Sequence, residues 1–119
     1  MSAIISISDY KALAKALVKQ GFKERSFIKG ILRKFRFVKE NDMTTKTVRL
    51  NSIVEVWNSI LKKIIKIRIV LPSMANLKEG YVSIFSPISL ALMGRQENDK
   101  VEMNIPGLKK ELRIIKVIN

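Results

Sequence analysis

The feature that most constrains the fold is a change in the spacing of apolar residues near residue 43. Before that point apolar side chains, including Leu13 and Leu17, recur every three to four residues, which is the spacing of one helical face. After it they alternate with a period of two, most clearly in Ile65–Leu71, as expected for a strand. We therefore predict a helical part over residues 1–43 and a sheet part over residues 44–119.

The helical part is predicted to contain two short amphipathic helices. The first starts at Ser8 or Asp9, either of which can act as N-cap, and stops at Gly21. The second starts at about Glu24 or Ser26. Neither helix is stable alone. We expect an antiparallel hairpin in which each helix buries its apolar stripe.

The hairpin also carries a strong positive charge. The chain has 23 basic and 10 acidic residues, a net charge of +13, and such a field attracts polyanions or acidic protein surfaces. A solvated charged face is the other reading of each basic stripe. The candidate basic surface consists of Lys11, Lys15, Lys19, Lys23, Arg25, Lys29, Arg33 and Arg36.

The sheet part is predicted to be antiparallel for the most part. Its short helix opens at Ser86, an N-cap, followed by Pro87 at the first helical position, and Gly94 ends it. The chain is therefore an α+β protein. The predicted strands contain Val48 and Leu50, Ile53 to Trp57, Ile65 to Leu71, Tyr81 to Phe85, Lys100 to Ile105, and Glu111 to Ile118.

Composition excludes several classes of function. The chain has no cysteine and no histidine, so disulfides, thiol nucleophiles, imidazole bases and the usual zinc ligands are missing. Charges interrupt every apolar run, so no membrane span is expected, and the N-terminus does not resemble a secretory signal. We expect a cytoplasmic binding protein, not an enzyme, with no metal and no cofactor.

Several segments together resemble one known domain. They are VRLNSIVEV (48–56), VLPSMAN (70–76) and SIFSPISLALMG (83–94), and the pattern continues through Asp99, Val101, Pro106, Gly107 and Ile114–Val117. They resemble the C-terminal domain shared by Rnk, the regulator of nucleoside diphosphate kinase, and the Gre transcript cleavage factors. The resemblance covers roughly residues 45–118. It implies an FKBP-like sheet domain from which an N-terminal helical hairpin, residues 8–38 here, projects.

The resemblance also implies a docking site. Gre proteins dock at the rim of the RNA polymerase secondary channel, partly through an aspartate-serine-proline stretch before the short helix. The matching residues here are Phe85, Ser86 and Pro87, so the aspartate is replaced by phenylalanine. Helix capping is the alternative role for Ser86 and Pro87, and core packing is the alternative for Phe85.

Within that group, the hairpin resembles Rnk more than the cleavage factors. Cleavage factors need acidic residues at the hairpin tip, whereas the predicted turn Lys19–Arg25 has one carboxylate, Glu24. A helix of about 12 to 14 residues also spans only about 18 to 21 Å. We expect a monomeric regulator that binds RNA polymerase near the secondary channel without stimulating cleavage.

Two other functions can be compared with the residues. A basic nucleic-acid-binding module is the alternative, with hairpin lysines and arginines on phosphates and an affinity that falls steeply with salt. Against it, the sequence offers no recognisable base-reading motif. Peptidyl-prolyl isomerase activity would follow from the fold label alone, and the chain lacks an apolar aromatic lining for such a site.

Overall fold

The computed structural model describes residues 3–19, 35–39, 44–105 and 108–119. These residues form an α+β fold, as the sequence predicts. In chain order they contain β1 (Ala3–Ser6), α1 (Ile7–Lys19), β2 (Phe35–Val38), β3 (Ile53–Asn58), β4 (Lys63–Val70), 3₁₀ turns at Pro72–Met74 and Leu77–Glu79, β5 (Tyr81–Ser83), α2 (Pro87–Leu92), β6 (Lys100–Ile105) and β7 (Leu108–Ile118).

Within the described residues the main sheet has five strands in the order β5-β4-β3-β7-β6. β3 pairs antiparallel with β4 and β7, and β6 pairs antiparallel with β7, as predicted. β4 and β5, in contrast, run parallel, with Arg68 opposite Tyr81. The sheet is therefore mixed and not antiparallel throughout, because the chain after β4 crosses back through the two 3₁₀ turns before it pairs.

One face of the sheet forms the core. On β3, Val54 and Val56 are buried while Trp57 faces solvent, and α2 packs against β6 on the core side. This is the alternation that the sequence predicts for half-buried strands. The buried apolar cluster contains Ile5, Leu13, Val48, Val54, Val56, Ile67, Ile69, Ile84, Leu92, Met93, Val101, Met103, Leu112, Ile114 and Val117.

The first helix is confirmed, but its N-cap differs from the prediction. α1 begins at Ile7, and the Asp9 backbone N–H donates to the Ser6 side-chain oxygen at 3.1 Å. Ser6 therefore caps the helix in place of Ser8 or Asp9. The cap lies two or three residues earlier because β1 leads directly into the helix.

The end of the predicted second helix is wrong. Residues 35–38 form β2, which pairs in parallel with β1, with Ala3 opposite Phe35 and Ser6 opposite Val38. Arg36 is therefore an exposed strand residue and not part of a helical face. Phe35 and Phe37 are two residues apart, and aromatic and β-branched residues such as Phe37 and Val38 suit a strand once a partner is available. The rest of the predicted second helix and the hairpin turn lie outside the described residues.

The predicted first strand of the sheet part is also wrong. Val48 and Leu50 lie in a turn-rich segment where Thr47 makes an isolated bridge to Gln96. Asn51, directly after this segment, has a φ of 72°, a left-handed conformation typical of a turn. Val48 is nevertheless fully buried, so the apolar pattern correctly marked a core position. In the ranges described, no helix is both long and apolar enough to cross a membrane.

Candidate functional site

The turn before α2 is held in one conformation by hydrogen bonds at both ends. At its start, the backbone N–H of Phe85 donates to Ser83 Oγ at 3.1 Å, and that of Ser86 donates to the Ser83 carbonyl at 2.9 Å. At its end, Ser86 Oγ accepts the Ser89 backbone N–H at 3.3 Å and donates to Ser89 Oγ at 2.8 Å. The backbone of the turn is therefore fixed by hydrogen bonds on both sides.

The predicted docking residues are together on this turn, which we call the Ser86 turn (Phe85–Pro87), and they differ in exposure. Pro87 is exposed at the first helical position, and Ser86 is half-buried. Phe85 is also half-buried and packs against the core cluster. Helix capping by Ser86 and core packing by Phe85 are thus confirmed as structural roles, and they leave Pro87 as the most accessible part of the turn.

The Ser86 turn rests on a rigid base. Ile84, directly before it, is fully buried, and its backbone N–H donates to the Val70 carbonyl at 2.7 Å. After α2, the Gly94 N–H donates to the Val48 carbonyl at 2.8 Å, and the Gly94 carbonyl accepts the N–H of Ile4 at 3.3 Å. The short helix is therefore connected by backbone hydrogen bonds both to the sheet part and to β1.

An ion pair between a buried acid and a partly exposed arginine joins the first helix to the sheet part. The Asp9 side chain is 9% exposed, and its two carboxylate oxygens accept Arg49 Nε and Nη2, each at 3.2 Å. The Leu50 backbone N–H donates to the same carboxylate at 3.3 Å, and Arg49 Nη2 also donates to Ser6 Oγ at 3.3 Å. Bidentate arginine-carboxylate pairs fix both distance and orientation. This pair therefore sets how α1 sits on the sheet part.

Sequence reasoning missed this ion pair. Asp9 looked like a helix cap and Arg49 like an outward position of a strand, and the two are 40 residues apart. The sequence carried no local signal for the pair, because an acid in the first turn of a helix is stabilised by the helix dipole without a partner. A surface groove beside the pair is lined by Asp9, Arg49, Leu50, Asn51, Arg68 and Asn119.

The structure describes about half of the predicted basic surface. Lys11, Lys15 and Lys19 are exposed along one side of α1, at the four-residue spacing that aligns side chains on a helix. Arg36 is exposed on β2. The predicted residues Lys23, Arg25, Lys29 and Arg33 lie outside the described residues. The structure thus brings three of the predicted cations onto one line and separates Arg36 from that line by placing it on a strand.

The acidic side chains do not form a metal site in the part of the chain that the structure describes. No group of three or more possible ligands among aspartate and glutamate comes together there. Asp9, the buried acid, is engaged by Arg49 and by a backbone amide.

Comparison with known proteins identifies relatives of the sheet part. Residues 43–119 match the family model described as transcription elongation factor, GreA/GreB, C-term. The transcription elongation factor GreA of Neorickettsia sennetsu is 28% identical over 102 residues, which cover 80% of this chain and 64% of that protein. GreA of Methylococcus capsulatus is also 28% identical over 102 residues, with coverage of 79% and 65%. The chain thus spans a little under two thirds of the length of these relatives.

The fold is shared with a solved structure. The prokaryotic transcription elongation factor GreA/GreB from Nitrosomonas europaea superposes with a TM-score of 0.72 and 23% sequence identity. The superposition covers 99% of this chain and 100% of that one. At this identity the likeness concerns the fold, and it extends over both the sheet part and the N-terminal segment.

Proposed function

The chain belongs to the GreA/GreB family of transcription elongation factors, whose C-terminal domain it carries, and from this premise we propose that it binds RNA polymerase near the secondary channel. It regulates transcription there without stimulating transcript cleavage. The protein is a binding regulator and not an enzyme, it needs no cofactor, and it acts as a cytoplasmic monomer.

The observation that carries the docking proposal is the fixed geometry of the Ser86 turn. The turn lies within the residues that match the family model, and it corresponds to the docking stretch that the resemblance implies. Its hydrogen bonds hold the backbone, so little conformational entropy is lost when a partner binds. Pro87 offers an exposed apolar contact on this fixed backbone.

The length of α1 and the charge of the predicted tip both oppose stimulation of cleavage. α1 has 13 residues and is therefore about 20 Å long at 1.5 Å per residue. Its exposed lysines approach the predicted tip, where Glu24 is the lone carboxylate of Lys19–Arg25. Holding a catalytic magnesium ion needs several oxygen ligands of negative charge, and a basic tip opposes this. A short, basic projection favours occupation of the channel entrance over chemistry inside it.

The docking proposal is tested by measuring binding to purified bacterial RNA polymerase by biolayer interferometry. Pro87→Glu keeps the helix, because glutamate is favourable in the first turn, but adds bulk and charge to the contact. We expect it to weaken binding by about tenfold or more, or about 1.4 kcal/mol. The matched control is Ser73→Glu, which adds the same side chain at an exposed position in a different turn, the 3₁₀ turn Pro72–Met74.

Three results would count against this proposal or a part of it. Equal binding by the Pro87→Glu and Ser73→Glu variants would remove the Ser86 turn from the interface. Faster transcript cleavage in arrested elongation complexes, measured on labelled RNA with the unmodified protein, would overturn the claim that cleavage is not stimulated. Complete lack of polymerase binding by the unmodified protein would reject the partner itself.

A second candidate function is direct binding to nucleic acid. The line of exposed lysines on α1, Lys11, Lys15 and Lys19, favours it because such a row can follow a phosphate backbone. Contacts from three lysines predict a slope of log K against log salt of about −2 to −3. A titration of labelled DNA and RNA with increasing salt measures this slope. Triple replacement of these lysines by glutamine abolishes binding under this hypothesis and leaves binding through the Ser86 turn intact.

A further inference from the structure

Among the described residues, the end of the main sheet at the β3–β4 turn exposes a run of large apolar side chains. Trp57 is 38% exposed, Ile60 47%, Leu61 55% and Ile64 53%. We call these four residues the Trp57 stripe. Trp57 and Ile64 are directly opposite each other on paired strands, and Ile60 and Leu61 continue from them into the turn. The four exposed residues therefore lie within eight consecutive positions at one end of the sheet and are not scattered along the chain.

The backbone under the Trp57 stripe is well organised. Asn58 is 1% exposed, and its side-chain oxygen accepts the backbone N–H groups of Ile60 at 3.0 Å and Leu61 at 3.1 Å. Ser59 joins the turn to β7 through two hydrogen bonds. Its backbone N–H donates to the Glu111 carbonyl, and its side-chain oxygen accepts the Glu111 backbone N–H. The exposed side chains are thus presented from a fixed backbone, which lowers the entropic cost of binding a partner.

The apolar residues of the Trp57 stripe do not contribute to the core. Val54 and Val56 fill the inner face of β3, and Trp57 points to the outer face by the alternation of the strand. Outer positions of a half-buried sheet are ordinarily polar. The outer neighbours of Trp57 along β3 and β7, Glu55 and Arg113, follow that rule. Four apolar residues at one end of this face therefore indicate a surface that a partner covers.

The charges around the stripe indicate the chemistry of that partner. Lys62 lies in the turn, Lys66 lies two residues from Ile64 on the same face of β4, and Arg113 lies opposite Trp57 on β7. In the strand register Glu55 lies opposite Lys66 on β4 and Lys116 on β7, so cations outnumber this acid on the outer face. The apolar stripe is thus flanked by cations, and a partner with apolar residues between acidic ones complements it.

We propose that the Trp57 stripe docks an acidic, amphipathic segment of a partner protein. A second copy of this chain is a poor occupant, because each copy carries a net charge of +13. Nucleic acid is also a poor occupant, because the stripe other than Trp57 is aliphatic and offers no surface on which bases stack. This docking surface is separate from the Ser86 turn, so it does not depend on the function proposed above.

The test uses Trp57 as its own reporter, because the chain has one tryptophan. The probe is an 18-residue helical peptide with leucine on one face and glutamate on the flanks, titrated into the full chain. We expect a saturable blue shift of the tryptophan emission as the indole leaves water. Leu61→Ser and Ile64→Ser should each weaken binding by about tenfold, as for residues at the centre of an interface. Leu77→Ser is the matched control, because Leu77 is 81% exposed and lies in a different turn.

Three outcomes would overturn the proposal. Equal binding of a peptide with the same composition in scrambled order would mean that charge alone is responsible. A blue shift with single-stranded DNA or with phosphatidylglycerol vesicles, but not with the helical peptide, assigns the stripe to another class of partner. Unchanged peptide affinity in the Leu61→Ser and Ile64→Ser variants removes the stripe from the contact. Urea unfolding of each variant checks that the fold is intact.

Discussion

The ion pair between Asp9 and Arg49 gives the most direct test of how the first helix is attached to the sheet part. Arg49→Met keeps the apolar stem of the side chain and removes both donors to Asp9. The Asp9 side chain is 9% exposed, so its carboxylate cannot regain full hydration in the folded state. Breaking a buried pair in this way costs about 3 to 5 kcal/mol. We expect the lower end, about 3 kcal/mol, because the Leu50 amide still donates to the carboxylate.

Replacing the acid should cost less than replacing the base. The Arg49 side chain is 22% exposed, so after Asp9→Asn its guanidinium can turn toward water. Asparagine also keeps an oxygen that can accept the Leu50 N–H. We expect Asp9→Asn to lower the free energy of unfolding by about 1 kcal/mol. The double variant should be more stable than Arg49→Met alone, because it leaves no unpaired charge buried.

Urea unfolding followed by circular dichroism measures these differences. With an m-value of about 1.5 to 2 kcal/mol/M, a loss of 3 kcal/mol lowers the midpoint by about 1.5 to 2 M. The control is Lys116→Met, an exposed strand position where the change should stay within about 0.5 kcal/mol. If Arg49→Met shifts the midpoint no more than this control, or if the double variant is no more stable than Arg49→Met, the pair does not hold the helix as argued.

Three further changes test local features of the sheet part. Ser86→Ala removes the acceptor for the Ser89 N–H and should cost about 1 kcal/mol in thermal unfolding, while Ser86→Asp keeps the cap and should cost less. Asn58→Ala leaves two turn amides without their side-chain acceptor and should cost about 1 to 3 kcal/mol in urea, with Asn58→Asp as the conservative control. Gly80→Ala should cost about 1 to 2 kcal/mol by the same measurement, because Gly80 has a φ of 77° and a new Cβ would lie 3.1 Å from the Lys66 carbonyl oxygen.

The elements that could be predicted are those whose signals lie within the element. α1 follows from its amphipathic spacing, and α2 follows from Ser86 and Pro87, a cap and a first-turn proline. β3 and β4 follow from their alternation, which the structure confirms as inner and outer faces. Each of these signals describes a local preference that the final packing reinforces.

β1 and β2 could not be predicted because each depends on the other. Each has four residues, and Ala3 pairs with Phe35, a partner far along the chain. A strand this short has little preference of its own until its partner supplies hydrogen bonds. The helical spacing that ends at Phe35 competed with the alternation of Phe35–Val38, and the sequence contains no local signal that decides between them.

Only part of the candidate site could be predicted from the sequence. The Ser86 turn could be located because capping residues and the family resemblance both indicate it. The Asp9–Arg49 pair could not, because any of the 23 basic residues could have met that acid. Val48 shows the intermediate case: its burial followed from the apolar pattern, but its place in a turn depended on the left-handed Asn51.

The direction of α1 is set by contacts with several parts of the fold. β1 donates from Ile4 to Gly94, which directly follows the short helix that begins at the Ser86 turn. Ile5 and Leu13 lie in the same buried cluster as the sheet, and the Asp9–Arg49 pair fixes the start of α1. The orientation of α1 relative to the Ser86 turn is therefore fixed before any partner binds. The angle at which α1 would approach a docked polymerase is thus determined by the core and by one ion pair.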